Sequence, residues 1–137
     1  MDMRLELIVL PVTDVDRAKA FYERAGFHLD VDHRGGEDFR VVQLTPPGSS
    51  CSITIGKGVS PAEPGSYRGL HLVVDDVEAA REELLGRGVE VGDVFHFGPE
   101  GQVSGPHPGR DDYASFAAFD DPDGNAWLLQ EVGHRRV

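Results

Sequence analysis

Three histidines stand where an imidazole can do chemistry. His71 falls in a short alternating apolar run, and His96 and His107 flank or occupy a Gly- and Pro-rich stretch at 98–112. Near neutral pH an imidazole can pass a proton, ligate a metal or hydrogen-bond a bound molecule. Gln43, Ser52, Thr54 and Gln130 place neutral polar groups inside strand-like runs, and Tyr113 places a phenol at the end of the 98–112 stretch. Asp121 and Asp123 are close in sequence, but they belong to Asp121-Pro122-Asp123-Gly124-Asn125, a tight turn by residue type that needs no catalysis to explain it. Cys51 is the one cysteine, which excludes an internal disulfide and a Cys-cluster zinc site. A lone thiol in an apolar run reads as a small buried hydrophobe. No Ser-His-Asp order, phosphate loop or Gly-rich dinucleotide fingerprint is present.

The elements that must position these residues form an internal repeat. Leu5–Leu10 is a short apolar strand. Asp14 is a helix N-cap, with Thr13 as the neighbouring option. Val15, Ala18, Phe21, Tyr22 and Ala25 follow at helical spacing, and Gly26 stops the helix. Strands at 27–31, 39–45 and 51–55 follow, with a turn at 33–36, giving βαβββ over residues 4–56. A linker at 57–66, rich in Gly, Pro and Ser, separates this from a second unit at 67–132. An offset of 62 positions carries Ile8 onto Leu70, Asp14 onto Asp76, Ala18 onto Ala80 and Gly26 onto Gly88. One offset satisfied through strand, cap, helix and stop indicates duplication. The second unit continues with strands at 89–97, 113–119 and 127–132, again βαβββ, and the stretch at 98–112 is expected as a long loop. Residues 133–137 read as a frayed tail.

The chain has 137 residues, a formal net charge of −11 and 39% hydrophobic residues, as expected of one globular domain. The charge argues against nucleic acid and anionic membranes, which require a basic face. It favours a cationic or amphipathic small partner. With no signal pattern and no membrane-length apolar run, a cytoplasmic protein is expected.

A tandem βαβββ repeat that contains Val12-Thr13-Asp14-Val15-Asp16-Arg17-Ala18 with Phe21-Tyr22, its echo Val74-Asp75-Asp76-Val77, and a final hairpin reading Phe119-Asp120-Asp121-Pro122-Asp123-Gly124-Asn125 resembles the vicinal oxygen chelate superfamily. That superfamily includes glyoxalase I, extradiol dioxygenases and bleomycin-resistance proteins. The resemblance implies an α+β fold in which the two units form an open, incomplete barrel around a cleft, with helices packed outside. It also implies a homodimer. By strand parity Leu7, Val9, Gly69, His71 and Val73 then face the cleft, while Ile8, Leu10, Leu70, Leu72 and Val74 face the helices. Trp127 has the opposite parity to Leu128 and is expected to pack behind the sheet.

Metal-using relatives place His or Glu at one cleft position on each of four strands. The matching positions here are Leu7, Thr54, Gly69 and Leu128. Leu and Gly cannot bind a metal and Thr is a poor ligand alone, so no metal and no cofactor is expected. The expected ligand-contacting residues are Leu7, Val9, Gln43, Ser52, Thr54, Gly69, His71, His96, His107, Tyr113, Leu128 and Gln130, with His71 as the candidate acid or base. Two functions remain open at this point: sequestration of a small organic molecule, as in the bleomycin-resistance branch, or metal-independent catalysis through His71. A metal-dependent lyase, isomerase or dioxygenase with a displaced site including His71 is the alternative to both.

Overall fold

A computed structural model describes residues 1–134. Residues 135–137 of the expected tail lie outside the described residues. The chain divides into two compact units, one of residues 1–67 with 121–125, the other of residues 68–120 with 126 onward. No helix is long and apolar enough to cross a membrane.

In the first unit, β1 (Leu7–Val9), α1 (Val15–Arg24), β2 (His28–Arg34), β3 (Arg40–Thr45) and β4 (Ser52–Lys57) follow the expected order. The sheet order is β1-β4-β3-β2, with β1 parallel to β4 and the other pairs antiparallel. α1 starts where the sequence sets its cap: the Asp14 side chain accepts a hydrogen bond from the Arg17 N–H, satisfying an otherwise orphaned donor. It ends at Ala25, followed by Gly26 at φ 104°, a left-handed stop that glycine adopts without strain. Ala18 and Tyr22 are its buried residues, and α1 packs on β3 and β4. Leu10, Val42, Leu44, Ile53 and Ile55 complete that core.

The second unit contains β5 (Leu70–Val74), α2 (Val77–Gly86), β6 (Phe95–Gly98), β7 (Gly101–Ser104), β8 (Ser115–Asp120) and β9 (Ala126–Glu131). Its sheet runs β5-β9-β8-β6-β7, with β5 parallel to β9. This departs from the expected βαβββ by one strand. The 98–112 stretch is not all loop, because Pro99 and Glu100 turn the chain back into β7, which pairs with β6. Conversely, residues 89–94 are not a strand. Val89 and Val91 are buried there, and the segment reaches β8 through the Gly92 N–H to the Ala118 carbonyl, 2.8 Å. Trp127 packs on the α2 side as expected, 4% exposed and stacked on Phe119 with the rings 3° from parallel.

The registers of the two units superimpose. Val9 pairs Thr54 as His71 pairs Leu128, so the duplication carries Val9 onto His71 and Thr54 onto Leu128. This supports Thr54 as the counterpart of Leu128, which sequence spacing alone leaves loose.

The turn at 121–125 is a buried polar hub of the first unit. Asp121 is 4% exposed and accepts four hydrogen bonds: Tyr22 Oη at 2.7 Å, Asn125 Nδ2 at 2.8 Å, and the N–H groups of Asp123 and Asn125, both at 2.9 Å. Asn125, wholly buried, donates to the Pro11 carbonyl at 2.9 Å and accepts from the Tyr67 N–H at 3.1 Å. Thr13 donates its hydroxyl to Asp123 Oδ1 at 2.6 Å. A buried donor or acceptor left without its partner costs about 1–3 kcal/mol. Asp121→Ala is therefore expected to destabilise the fold by about 2–4 kcal/mol in urea unfolding, because it strips partners from Tyr22 and Asn125 together. Tyr22→Phe is expected to cost about 1 kcal/mol. A loss under 0.5 kcal/mol for Asp121→Ala would refute the hub.

Candidate functional site

Each unit has a sheet face turned away from its helix. In the first unit that face carries Leu7 and Val9 of β1, Ser52 and Thr54 of β4, and Val41, Gln43 and Thr45 of β3. Its polar groups are largely bonded to one another. Ser52 Oγ lies 2.7 Å from Thr45 Oγ1 and accepts from Gln43 Nε2 at 3.4 Å, and Thr45 donates to Asp30. Hydrogen bonds from Thr45 and then His28 hold the Asp30 carboxyl below its usual range. Ser52 and Thr54 are buried. A separate concavity of about 600 Å³ lies by the N-terminal end of α1, bordered by charges of both signs, among them Asp16, Arg34, Arg40 and Lys57. Its Arg40 is already engaged. It donates to Asp32 at 2.9 and 3.0 Å and to Asp16 at 2.7 Å, which keeps both carboxyls below the ordinary range.

The second unit's helix-free face is different in kind. Cross-strand pairing lines up His71, Leu128 and Ala118 in one row, and Val73, Gln130, Phe116 and Phe95 in the next. Phe97 shares the face by alternation from Phe95. The three phenylalanines form a connected wall. Phe95 and Phe116 stack at 5.6 Å, and Phe97 meets each edge-on at 5.7 Å. Phe97 is 62% exposed and Val73 59%. An exposed aromatic and apolar face of this kind is uncommon unless it meets something. His71 is exposed beside it, with Nδ1 2.7 Å from the Gly69 carbonyl.

Of the other expected residues, His96 points to the opposite face of β6 from the phenylalanines, paired with Ser115. Its Nδ1 donates to the Gly105 carbonyl at 2.7 Å, and its ring lies 6.0 Å from that of His107. His107 Nδ1 accepts from the N–H groups of Gly109 and Asp111, folding the loop around itself. These two imidazoles therefore form a group apart from His71. Tyr113 is 62% exposed at φ 68°, with its carbonyl accepting from Gln130 Nε2 at 3.2 Å.

Two features were missed by sequence reasoning. One is the phenylalanine wall, although the alternation Phe95-His96-Phe97 was a usable signal. The other is Arg110. Its guanidinium crosses from the loop to Glu131, at 2.5 and 2.9 Å, and to Glu78 at 3.0 Å. Glu131 is wholly buried and also accepts the Val77 N–H at the start of α2, 3.0 Å. Burial alone would raise the Glu131 carboxyl, but hydrogen bonds from Arg110 and Val77 outweigh it and hold the group below its ordinary range.

A family model for the glyoxalase/bleomycin resistance protein/dioxygenase superfamily matches residues 4–129. The chain belongs to this superfamily. A solved structure of TnmS3, an antibiotic binding protein from Streptomyces sp. CB03234, is 34% identical with a TM-score of 0.72, covering 95% of this chain and 96% of that one. A glyoxalase/bleomycin resistance protein from the same organism is 35% identical with a TM-score of 0.70, covering 93% of this chain and all of that one. The uncharacterized protein YetH of Bacillus subtilis (strain 168) is 24% identical over 134 residues, 96% of this chain and 100% of that protein.

The residues at the superfamily's metal positions do not fit a divalent ion. Leu7, Gly69 and Leu128 carry no donor atom, and Thr54 offers one hydroxyl from a buried side chain. Among the described residues, the group of metal-capable side chains that converges within 4.8 Å is Asp76, Glu131 and His134. It lies away from the implied positions, and Arg110 already supplies its positive charge, at 3.6 Å from Asp76 and 2.5 Å from Glu131.

Removing one partner of a buried ion pair costs about 3–5 kcal/mol, and Arg110→Ala is expected to fall in that range at pH 7. The sign then changes with pH. In the native protein the Glu131 carboxyl is depressed, so its stabilisation is present above the unfolded value near 4.5 and is lost as pH falls through the folded one. Without Arg110, desolvation dominates and raises the carboxyl, so protonation relieves the variant. The stability gap between the two proteins should narrow between pH 7 and pH 4. A gap constant across that interval in denaturant titrations would count against this role for Arg110.

Proposed function

We propose that the protein binds a small, planar organic molecule on the helix-free face of its second unit, without the superfamily's metal. The observation that carries this reading is the wall of Phe95, Phe97 and Phe116, half-buried except for the exposed Phe97, on the same face as His71. Offset-stacked and edge-on ring contacts each add about 0.5–1.5 kcal/mol beyond area burial, and flat ligands gain most from them. Leu128 and Ala118 supply an apolar floor next to the wall, while His71 and Gln130 supply the few polar groups that orient a ligand in such sites. The likeness to an antibiotic binding protein supports the same class of partner, and the net charge of −11 favours one that is neutral or cationic. Tyr113 of the loop is proposed as an additional contact. Binding alone, rather than turnover, is favoured by the likeness to an antibiotic binding protein.

Two measurements test this. Protein purified without added metal should contain no stoichiometric Zn²⁺, Ni²⁺, Mn²⁺ or Fe²⁺ by elemental analysis, and one ion per chain would refute the metal-free reading. Pyrene, as a planar fluorescent probe, should bind saturably, and Phe97→Ala should weaken it roughly tenfold, the equivalent of about 1.4 kcal/mol. If Phe97→Ala leaves pyrene affinity unchanged, the aromatic face is not the site.

A further inference from the structure

Gly69 meets the His71 imidazole through its backbone carbonyl. Gly69 has φ 77°, in the left-handed region, and an added Cβ would meet nothing within 4 Å. Glycine is thus not needed for space. It is needed for a backbone conformation that costs an ordinary residue about 1–2 kcal/mol. That conformation accompanies a carbonyl 2.7 Å from Nδ1 of His71. A carbonyl oxygen can only accept, so Nδ1 carries the proton and Nε2 of the neutral ring is left as a lone pair. At the position where metal-using relatives present a ligand side chain, this chain presents a backbone acceptor that fixes the tautomer of its neighbour.

Building on the binding reading above, we infer that His71 is a hydrogen-bond acceptor at Nε2, and that the bound molecule is a polycyclic aromatic bearing a hydroxyl or N–H donor. The size follows from the sheet. His71 stands two strands across and one side-chain step along from Phe116. With strand spacings near 4.8 Å and a two-residue step near 6.8 Å, that is about 12 Å. A single ring stacked on the phenylalanines does not reach the imidazole, whereas a fused-ring system lying over Leu128 and Ala118 does. The donor requirement follows from the tautomer: an ether or carbonyl oxygen set against Nε2 places two lone pairs face to face.

The test uses three fluorescent probes of one shape: pyrene, 1-hydroxypyrene and 1-methoxypyrene. The native protein should bind 1-hydroxypyrene roughly two- to tenfold more tightly than 1-methoxypyrene, the worth of one net neutral hydrogen bond. His71→Phe should abolish that preference while still binding pyrene. In long-range ¹H–¹⁵N spectra of the native protein at a pH where His71 is neutral, Nδ1 should be the protonated nitrogen. Gly69→Ala should shift the ring toward the Nε2–H form and shrink the hydroxyl preference. Equal affinity for hydroxyl and methoxy probes, a preference that survives His71→Phe, or an Nε2–H ring in the native protein would each overturn the inference while leaving the aromatic binding site standing. Failure of all three probes to bind would remove the binding reading and this inference with it.

Discussion

Asp121 is the constraint on which the first unit depends. It sits in the 121–125 turn, which belongs to that unit, and its four hydrogen bonds bury the turn there. A carboxylate 4% exposed is tolerated only when nearly every lone pair is used. Here two backbone N–H groups, a phenol and an amide use them. The Pro-Asp-Gly sequence makes the turn tight, and the tightness brings the N–H groups of Asp123 and Asn125 onto one oxygen. Local turn chemistry and long-range packing are therefore the same set of bonds. The Tyr22 hydroxyl is one of the donors, so the apolar stripe of α1 is committed to the same point.

A second ionic logic is repeated in both units, although the residues come from different elements. Each helix begins Asp-Val-acid, and the third residue, Asp16 or Glu78, receives an arginine. In the first unit that arginine is Arg40 of β3, which also meets Asp32. In the second it is Arg110 of the 105–114 loop, which also meets Glu131. The position equivalent to Arg40 in the second sheet is Ser115, too short to reach the helix. A loop at φ 52° has taken over the contact. Duplication preserved the helix start and its need for a cation, while the source of the cation changed. That shift ties the loop carrying Tyr113 to the core of its unit.

Most of the fold was legible in the sequence for a plain reason. Caps, glycine stops and hydrophobic period are local signals, and one offset aligned them across the whole chain. Asp14 and Asp76 cap as expected, Gly26 and Gly88 stop their helices, and Trp127 packs on the α2 side. β7 was not legible, because Gln102-Val103-Ser104 has a single apolar residue between Gly- and Pro-rich flanks. Residues 89–94 misled in the opposite direction. Their alternation is real and buries Val89 and Val91, but alternation reports burial on one side and says nothing of ladder partners. The site was less legible than the fold. His71 and its face followed from parity, whereas the importance of Gly69 depends on a φ angle and a carbonyl direction that residue identity does not encode. Arg110 was hidden because its partners lie 21 and 32 positions away.

The sole tryptophan has a practical consequence. Trp127 is stacked on Phe119 on the helix side of the sheet, whereas His71, Leu128 and the phenylalanine wall occupy the other side. Its emission therefore reports the packing of the core and is shielded by a layer of backbone from direct contact with anything on the opposite surface. Adjacent residues 127 and 128 lie on opposite faces of one strand, so an aromatic guest over Leu128 couples to the indole through space, by transfer of its excitation. A change in tryptophan emission on binding then reports proximity of the guest, and a change on melting reports the core.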